Sequence, residues 1–354
     1  MDVTVFSQAK EAGRPEDNED RYLAIDGRAY GVIDGVTDKT GRRFGGLTGG
    51  RIAGRTVEAA VRQACAEHDV GAMDGAWLIE RINREFAVTY QSLGLDAAAV
   101  GAPAAPFAAQ LVLALFGHDR IRFLVVGDAG LRLNGREVFR RTFPMDVVGA
   151  AIRQAVWRHV IGRGADREIA DVTARAYTVE GLGALIPKTT QWIGGKDLAG
   201  LRRRIANAAL EALPGVSLAV LDAALDHGMR EQHRYANRLH PLGFPILDGR
   251  PVPPSMVVEF TRERAEVETI ELFSDGYFGC PDGTALDDWE AWFAWVEAED
   301  PAKVGRHAST KGSIGRHHAD DRTVVIVRCG RDAARPAAES RPDGVRATAG
   351  AAAP

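Results

Sequence analysis

Four short acidic motifs, spread along the whole chain, each close an apolar run that reads as a β-strand or follow directly on one. They are Asn18-Glu19-Asp20-Arg21, Ile33-Asp34-Gly35, Phe273-Ser274-Asp275-Gly276 and Asp320-Asp321-Arg322-Thr323, with a fifth, Val126-Gly127-Asp128, between them. A single Asp-Gly is an ordinary turn. An ordered set of them at strand ends demands a fold that gathers distant segments at one edge of a sheet. Such an edge suits hard divalent cations such as Mg²⁺ and Mn²⁺, which take oxygen ligands held within a few ångströms of one another.

The rest of the composition sets the frame for this reading. A chain of 354 residues, 45% hydrophobic and 26% charged, can bury a large core as one big domain or two ordinary ones. Its net charge of −4 offers no general attraction to nucleic acid or to an anionic membrane. Cys65, Cys280 and Cys329 are odd in number and lack metal-type spacing, which argues for a reducing compartment and against a disulfide framework. Residues 1–10 carry no basic-then-apolar signal pattern, and no run approaches the roughly 18 apolar residues of a spanning helix. The expectation is a cytoplasmic protein.

Along the chain, Val3 to Phe6, Arg21 to Ile25 and Ala29 to Ile33 read as strands, the last two joined by an Asp26-Gly27 hairpin. Gly49-Gly50 opens a helix with Ile52, Val57, Ala60, Val61, Ala64 and Cys65 on one face, and a second helix is expected over 76–93. Ala108 to Phe116 and Ile121 to Val126 read as buried strands. The character then changes. Ala- and Arg-rich stretches at 147–162, 198–212 and 217–239 predict helices, closed by the Pro- and Gly-rich stretch 241–254. Strands resume at 256–260, 267–273 and 323–327, with a Trp-rich helix over 287–298 whose stripe of Trp289, Trp292, Phe293 and Val296 is core. Beyond Gly330 large apolar side chains almost vanish, so 331–354 is expected to be a disordered tail on a single unit spanning 1–330.

In order and strand context these motifs resemble those of the metal-dependent protein phosphatases (protein phosphatase 2C, the PPM type), over most of residues 4–328. The match includes the Gly49-Gly50 pair and is poorest over about 145–254. The resemblance implies an α+β fold, a two-layer antiparallel β-sandwich flanked by helices, here with a helical insertion. It also implies a binuclear Mn²⁺ or Mg²⁺ centre. By position, Asp34 would bridge both ions, Asp275 and Asp320 would complete one ion's ligands, and the Gly35 carbonyl would serve the other. Asp20, in preference to Glu19, would act on that second side, partly through water, and Asp128 matches a more labile third site. Two such ions would neutralise a phosphate monoester and activate a water held between them, so no side-chain nucleophile is needed. The implied activity is hydrolysis of phosphoserine or phosphothreonine in proteins.

Departures from the pattern matter as much. Asp34-Gly35-Val36-Thr37 lacks the histidine that some members use as a general acid, and Gly127-Asp128-Ala129-Gly130 lacks an arginine. The usual phosphate-binding arginine falls at Pro15, leaving Arg14 or Lys10 to supply the cation. Asp321 replaces an asparagine and reads as solvated or as a support for its neighbours. Arg42, Arg43 and His317-His318 read as loop or surface residues rather than ligands. Residues 145–254, with Arg202-Arg203-Arg204, His227, His233 and His240, are either a substrate-selecting cap or plain helical packing. Two alternatives stay open: a phosphatase of small phosphorylated metabolites, and a non-catalytic homologue that binds a phosphorylated partner.

Overall fold

The structure is a computed structural model, and it describes residues 1–38, 41–95, 107–315 and 317–330. The expected tail, 331–354, lies outside the described residues. Twelve strands form two five-stranded antiparallel sheets and a small hairpin. The first sheet has the order β1 (Asp2–Gln8), β12 (Arg322–Arg328), β11 (Thr269–Phe273), β8 (Gly130–Leu133), β9 (Glu137–Phe139). The second has the order β10 (Val258–Glu263), β7 (Arg120–Val126), β6 (Ala109–Phe116), β3 (Ala29–Gly35), β2 (Arg21–Ile25). The hairpin pairs β4 (Arg43–Phe44) with β5 (Leu47–Thr48).

Alternation along the strands sends one set of side chains into the space between the sheets and the other outward. Tyr30, Val32, Val112, Ala114, Phe123, Val125, Leu131, Leu272 and Val325 fill the space between them. The outward set of the second sheet, including Leu23, Ile33, Leu111 and Leu113, packs under α1 (Gly49–Glu67) and α2 (Gly75–Ser92). On the other side, Phe273, Val324 and Ile326 of the first sheet meet Trp289 and Phe293 of α7 (Leu286–Glu299). This is the helix–sheet–sheet–helix sandwich that the resemblance implied. Of the Trp-rich stripe, Trp289, Phe293 and Val296 are buried as the helical spacing indicated, whereas Trp292 is half-buried and donates to the Tyr277 carbonyl (3.0 Å).

The insertion comprises α3 (Pro144–Gly162), α4 (Arg167–Glu180), α5 (Gly195–Ala212) and α6 (Leu218–His227), and it has its own apolar core around Val148, Ile152, Val156, Tyr177, Leu201, Ile205 and Leu221. Five elements had no sequence signal, two of them the short β4 and β5 of the hairpin, in a stretch that reads as loop. β8 is four residues long, and its Arg132 is buried against Glu271 opposite it on β11, which breaks the apolar pattern. β9 has three residues. α4 buries alanines, threonines, Tyr177 and the charged Asp171, which breaks any apolar stripe, and is defined by its ends instead: Asp166 caps Ile169 N (2.8 Å), and Gly181, at φ +81°, stops it. The helix expected over 217–239 ends at His227, where Gly228 turns left-handed (φ +57°) and a 3₁₀ stretch follows.

Candidate metal centre

Strand direction explains why residues three hundred positions apart meet. β3 and β7 both run antiparallel to β6, so their C-terminal ends, carrying Asp34-Gly35 and Gly127-Asp128, share one edge. β2 begins at that edge, opposite Ile33, just after Glu19 and Asp20. In the other sheet β11 ends and β12 begins side by side, Phe273 facing Val324, which places Asp275 and Asp320 at the same edge. Gly127-Asp128 is itself the step from one sheet to the other, between β7 and β8.

Three carboxylates form the tightest group: one oxygen each from Asp34, Asp128 and Asp275 lies within 4.8 Å of the others. Burial, then the neighbouring charges of Asp275, Asp20, Asp128 and Asp320, push the Asp34 carboxyl well above the usual carboxylate range. Burial and Asp275 do the same to Asp128. Burial and Asp320 raise Asp275. Arg140 stands beside this group but donates to the Asp275 backbone carbonyl (3.4 Å) rather than to a carboxylate. The backbone N–H of Asp128 donates to the Gln110 side chain on β6.

Glu19 and Asp20 are 1% and 6% exposed, so neither is the solvated acidic turn that their sequence neighbours suggest. Burial and the charges of Asp321 and Asp320 raise Asp20, against hydrogen bonds from the Ser274 and Thr323 hydroxyls. A hydroxyl chain supports that floor: Asn18 donates to Ser7 Oγ (2.9 Å), Ser7 and Thr323 share a hydrogen bond (2.8 Å), and Thr323 N donates to Ser274 Oγ (2.9 Å). Gly35 and Gly50 let the end of β3 and the start of α1 close on Glu19. A Cβ on Gly35 would lie 2.5 Å from the Glu19 carbonyl and 2.6 Å from that of Gly50.

The cations expected from sequence divide. Arg14 lines the same cleft as Lys10 but pairs with Asp17 at 2.5 Å, and its side chain is 46% exposed. Lys10 is inside. Its ammonium lies 3.0 Å from Glu19, 3.3 Å from Asp321 and 3.7 Å from Asp320, and donates to Thr37 Oγ1 at 3.1 Å. Burial opposes the charge, but the three carboxylates outweigh it and lift Lys10 above the ordinary lysine range. Asp321 is buried, accepting from the backbone N–H groups of Lys10 (2.7 Å) and Glu19 (3.1 Å), so it ties two segments together. Arg43 pairs with Asp17 at 2.8 and 2.7 Å. His317 lies 3.7 Å from Glu11, and His318 lies 3.4 Å from Glu297. Lys311, which pairs with Asp320, had no signal at all: it is one lysine in a Gly- and Ser-rich stretch.

The donor set fits a hard divalent ion. It is all oxygen, and single oxygens of Glu19, Asp20, Asp34 and Asp128 are sealed from solvent without a hydrogen-bond partner. A cleft of about 950 Å³ opens beside this edge, between Lys10, Glu19, Thr37 and Asp321 on one side and Val172, Arg175 and Val179 of α4 on the other.

No protein-family model matches this chain, and no curated protein matches it in sequence. Among solved structures it is similar to a bacterial serine phosphatase, at 12% identity and a TM-score of 0.43, covering 93% of this chain and 98% of that one. It is similar to serine/threonine phosphatase Stp1 from Staphylococcus aureus at 11% identity and a TM-score of 0.43, covering 93% and 94%. The Mycobacterium tuberculosis serine/threonine phosphatase PstP/Ppp is 18% identical with a TM-score of 0.42, covering 92% and 97%. These superpositions are loose, and the chemistry of the site is read from its own residues. No helix among the described residues is long and apolar enough to cross a membrane.

Proposed function

We propose that this protein is a cytoplasmic, divalent-metal-dependent phosphomonoester hydrolase acting on phosphoserine or phosphothreonine in proteins. One observation carries the reading. Carboxylates from five separate segments converge, and single buried oxygens of Glu19, Asp20, Asp34 and Asp128 have no hydrogen-bond partner among the described residues, an arrangement whose cost is removed by a bound cation. Asp34, Asp275, Asp320 and the Gly35 carbonyl would hold Mn²⁺ or Mg²⁺, with Asp128, Asp20 and Glu19 alongside. When bound, the metal supplies charge neutralisation for the phosphate and lowers the pKa of a coordinated water.

The chain's own residues do the rest. Asp34 and Asp275 fix the position of the centre on the ends of rigid strands. Lys10, held by Glu19 and Asp321, presents an ammonium toward the cleft where a phosphate oxygen would lie, the role for which sequence offered Arg14 or Lys10. α4 walls the opposite side, which makes the insertion the surface that meets the remainder of the substrate.

The test is hydrolysis of a chromogenic aryl phosphate and of phosphopeptides with Mn²⁺, alongside a panel of phosphorylated metabolites. Asp34→Asn and Asp275→Asn should each abolish turnover. Activity that survives both, or that ignores chelator, would sink the assignment. Turnover of metabolites alone would move it to the small-molecule reading, and Mn²⁺ binding without turnover to the non-catalytic one.

A further inference from the structure

The acidic edge is uneven in charge. Asp34, Asp128 and Asp275 crowd one another, one oxygen of each lying within 4.8 Å of the others. On the other flank, cations are built in. The Lys311 ammonium pairs with one oxygen of Asp320, and that of Lys10 lies 3.7 Å from the other.

Lys311 is delivered there by a fixed segment. Ser313 N donates to the Pro301 carbonyl (2.8 Å), and Ala319 N donates to Ser313 Oγ (2.9 Å). Arg153 of α3 donates to the Ala302 carbonyl at 3.2 and 3.0 Å. Gly312, next to Lys311, packs so tightly that a Cβ would lie 2.2 Å from the Arg153 guanidinium and 2.5 Å from the Ala302 carbonyl.

We propose that Lys311 is a tethered cation that competes with a divalent ion for Asp320. The centre then takes one ion tightly at Asp34, Asp128 and Asp275, and a second only by displacing Lys311. The inference rests on the metal-centre reading above. An ammonium carries one charge where the ion carries two, so it can be displaced. Once displaced, it stays tethered nearby and repels the incoming ion, which weakens the second step.

Calorimetric titration with Mn²⁺ tests this. The wild-type chain should bind one ion tightly and a second weakly. Lys311→Met should strengthen the second step at least tenfold and leave the first unchanged. Lys311→Gln, which keeps length and polarity, should shift it the same way should the methionine variant lose its fold. Asp320→Asn should abolish the second step alone. A second step equally strong in wild type and both lysine variants, with the first step intact, would overturn the proposal and leave the centre standing. No binding of Mn²⁺ by the wild-type chain would overturn both.

Discussion

Arg153 of α3 and Asp171 of α4 form an ion pair sealed from solvent, and the same guanidinium holds the carbonyl of Ala302, on the segment that leads to Asp320. The helical insertion is therefore fastened to the acidic edge through a buried charge. Removing one partner leaves the other uncompensated, a loss of about 3–5 kcal/mol. Asp171→Ala should lower stability by that order in urea denaturation. The double variant Arg153→Met with Asp171→Leu should recover most of it, because two apolar groups of similar size leave no stranded charge.

Gly35 has no room for a side chain, since a Cβ there would press on the carbonyls of Glu19 and Gly50. Gly35→Ala should cost about 1–3 kcal/mol through forced backbone shifts. It should also weaken Mn²⁺ binding, because the strand end that moves carries Asp34. Thermal unfolding with and without Mn²⁺ reads both effects. A variant that melts like wild type and binds the ion equally well would contradict the packing argument.

The raised carboxylates make a prediction about pH. Asp34, Asp128 and Asp275 titrate in the folded chain above their unfolded value of about 4. In that window the native state holds more protons than the unfolded state, so stability of the metal-free protein falls as pH rises. Asp320, lowered instead, contributes stability above about 4 that is lost as pH falls through its native value. The melting temperature in chelator should decline as pH rises above about 4, the unfolded carboxylate value, and saturating Mn²⁺ should remove the decline. A rise with pH above that value in chelator would refute the account.

Lys10 should serve substrate more than fold. Lys10→Met should raise KM for aryl phosphate by about 10- to 100-fold, the value of one charge-assisted hydrogen bond, with a smaller change in kcat. Lys10→Arg should restore part of the loss. Arg14→Ala should leave KM near wild type, given its pairing with Asp17 outside the cluster.

Arg175 lines the cleft from α4, exposed, and no hydrogen-bond or ion partner for it is found among the described residues. Arg175→Glu should lower kcat/KM for phosphopeptides with acidic flanking residues by about tenfold, since like charges then meet across the cleft. Aryl phosphate, too small to reach α4, should be turned over as before.

Much of this architecture was legible in the chain because it is written in apolar periodicity. The long strands, α1, α2 and α7 follow from it, and the strand-end carboxylates follow from their position after each run. What escaped did so for physical reasons. β8 hides behind a buried arginine whose partner, Glu271, is 139 residues away. α4 buries small alanines and threonines together with a charged Asp171, whose partner Arg153 lies on α3, so no apolar face marks it. The burial of Glu19 and the engagement of Lys10 depend on a tertiary closure between β1, β2 and the stretch before β12 that no local pattern encodes. Lys311 belongs to the same class, since its role is set by the loop that delivers it.

The position of β12 carries a consequence for how the protein comes into being. This strand sits between β1 and β11, so the first sheet has a gap until residues 322–328 are available. A ribosome must therefore release nearly the whole described chain before Asp320 can meet Asp34. Until then the edge lacks the carboxylate of Asp320 and the acceptor that Asp321 offers to the backbone N–H groups of Lys10 and Glu19.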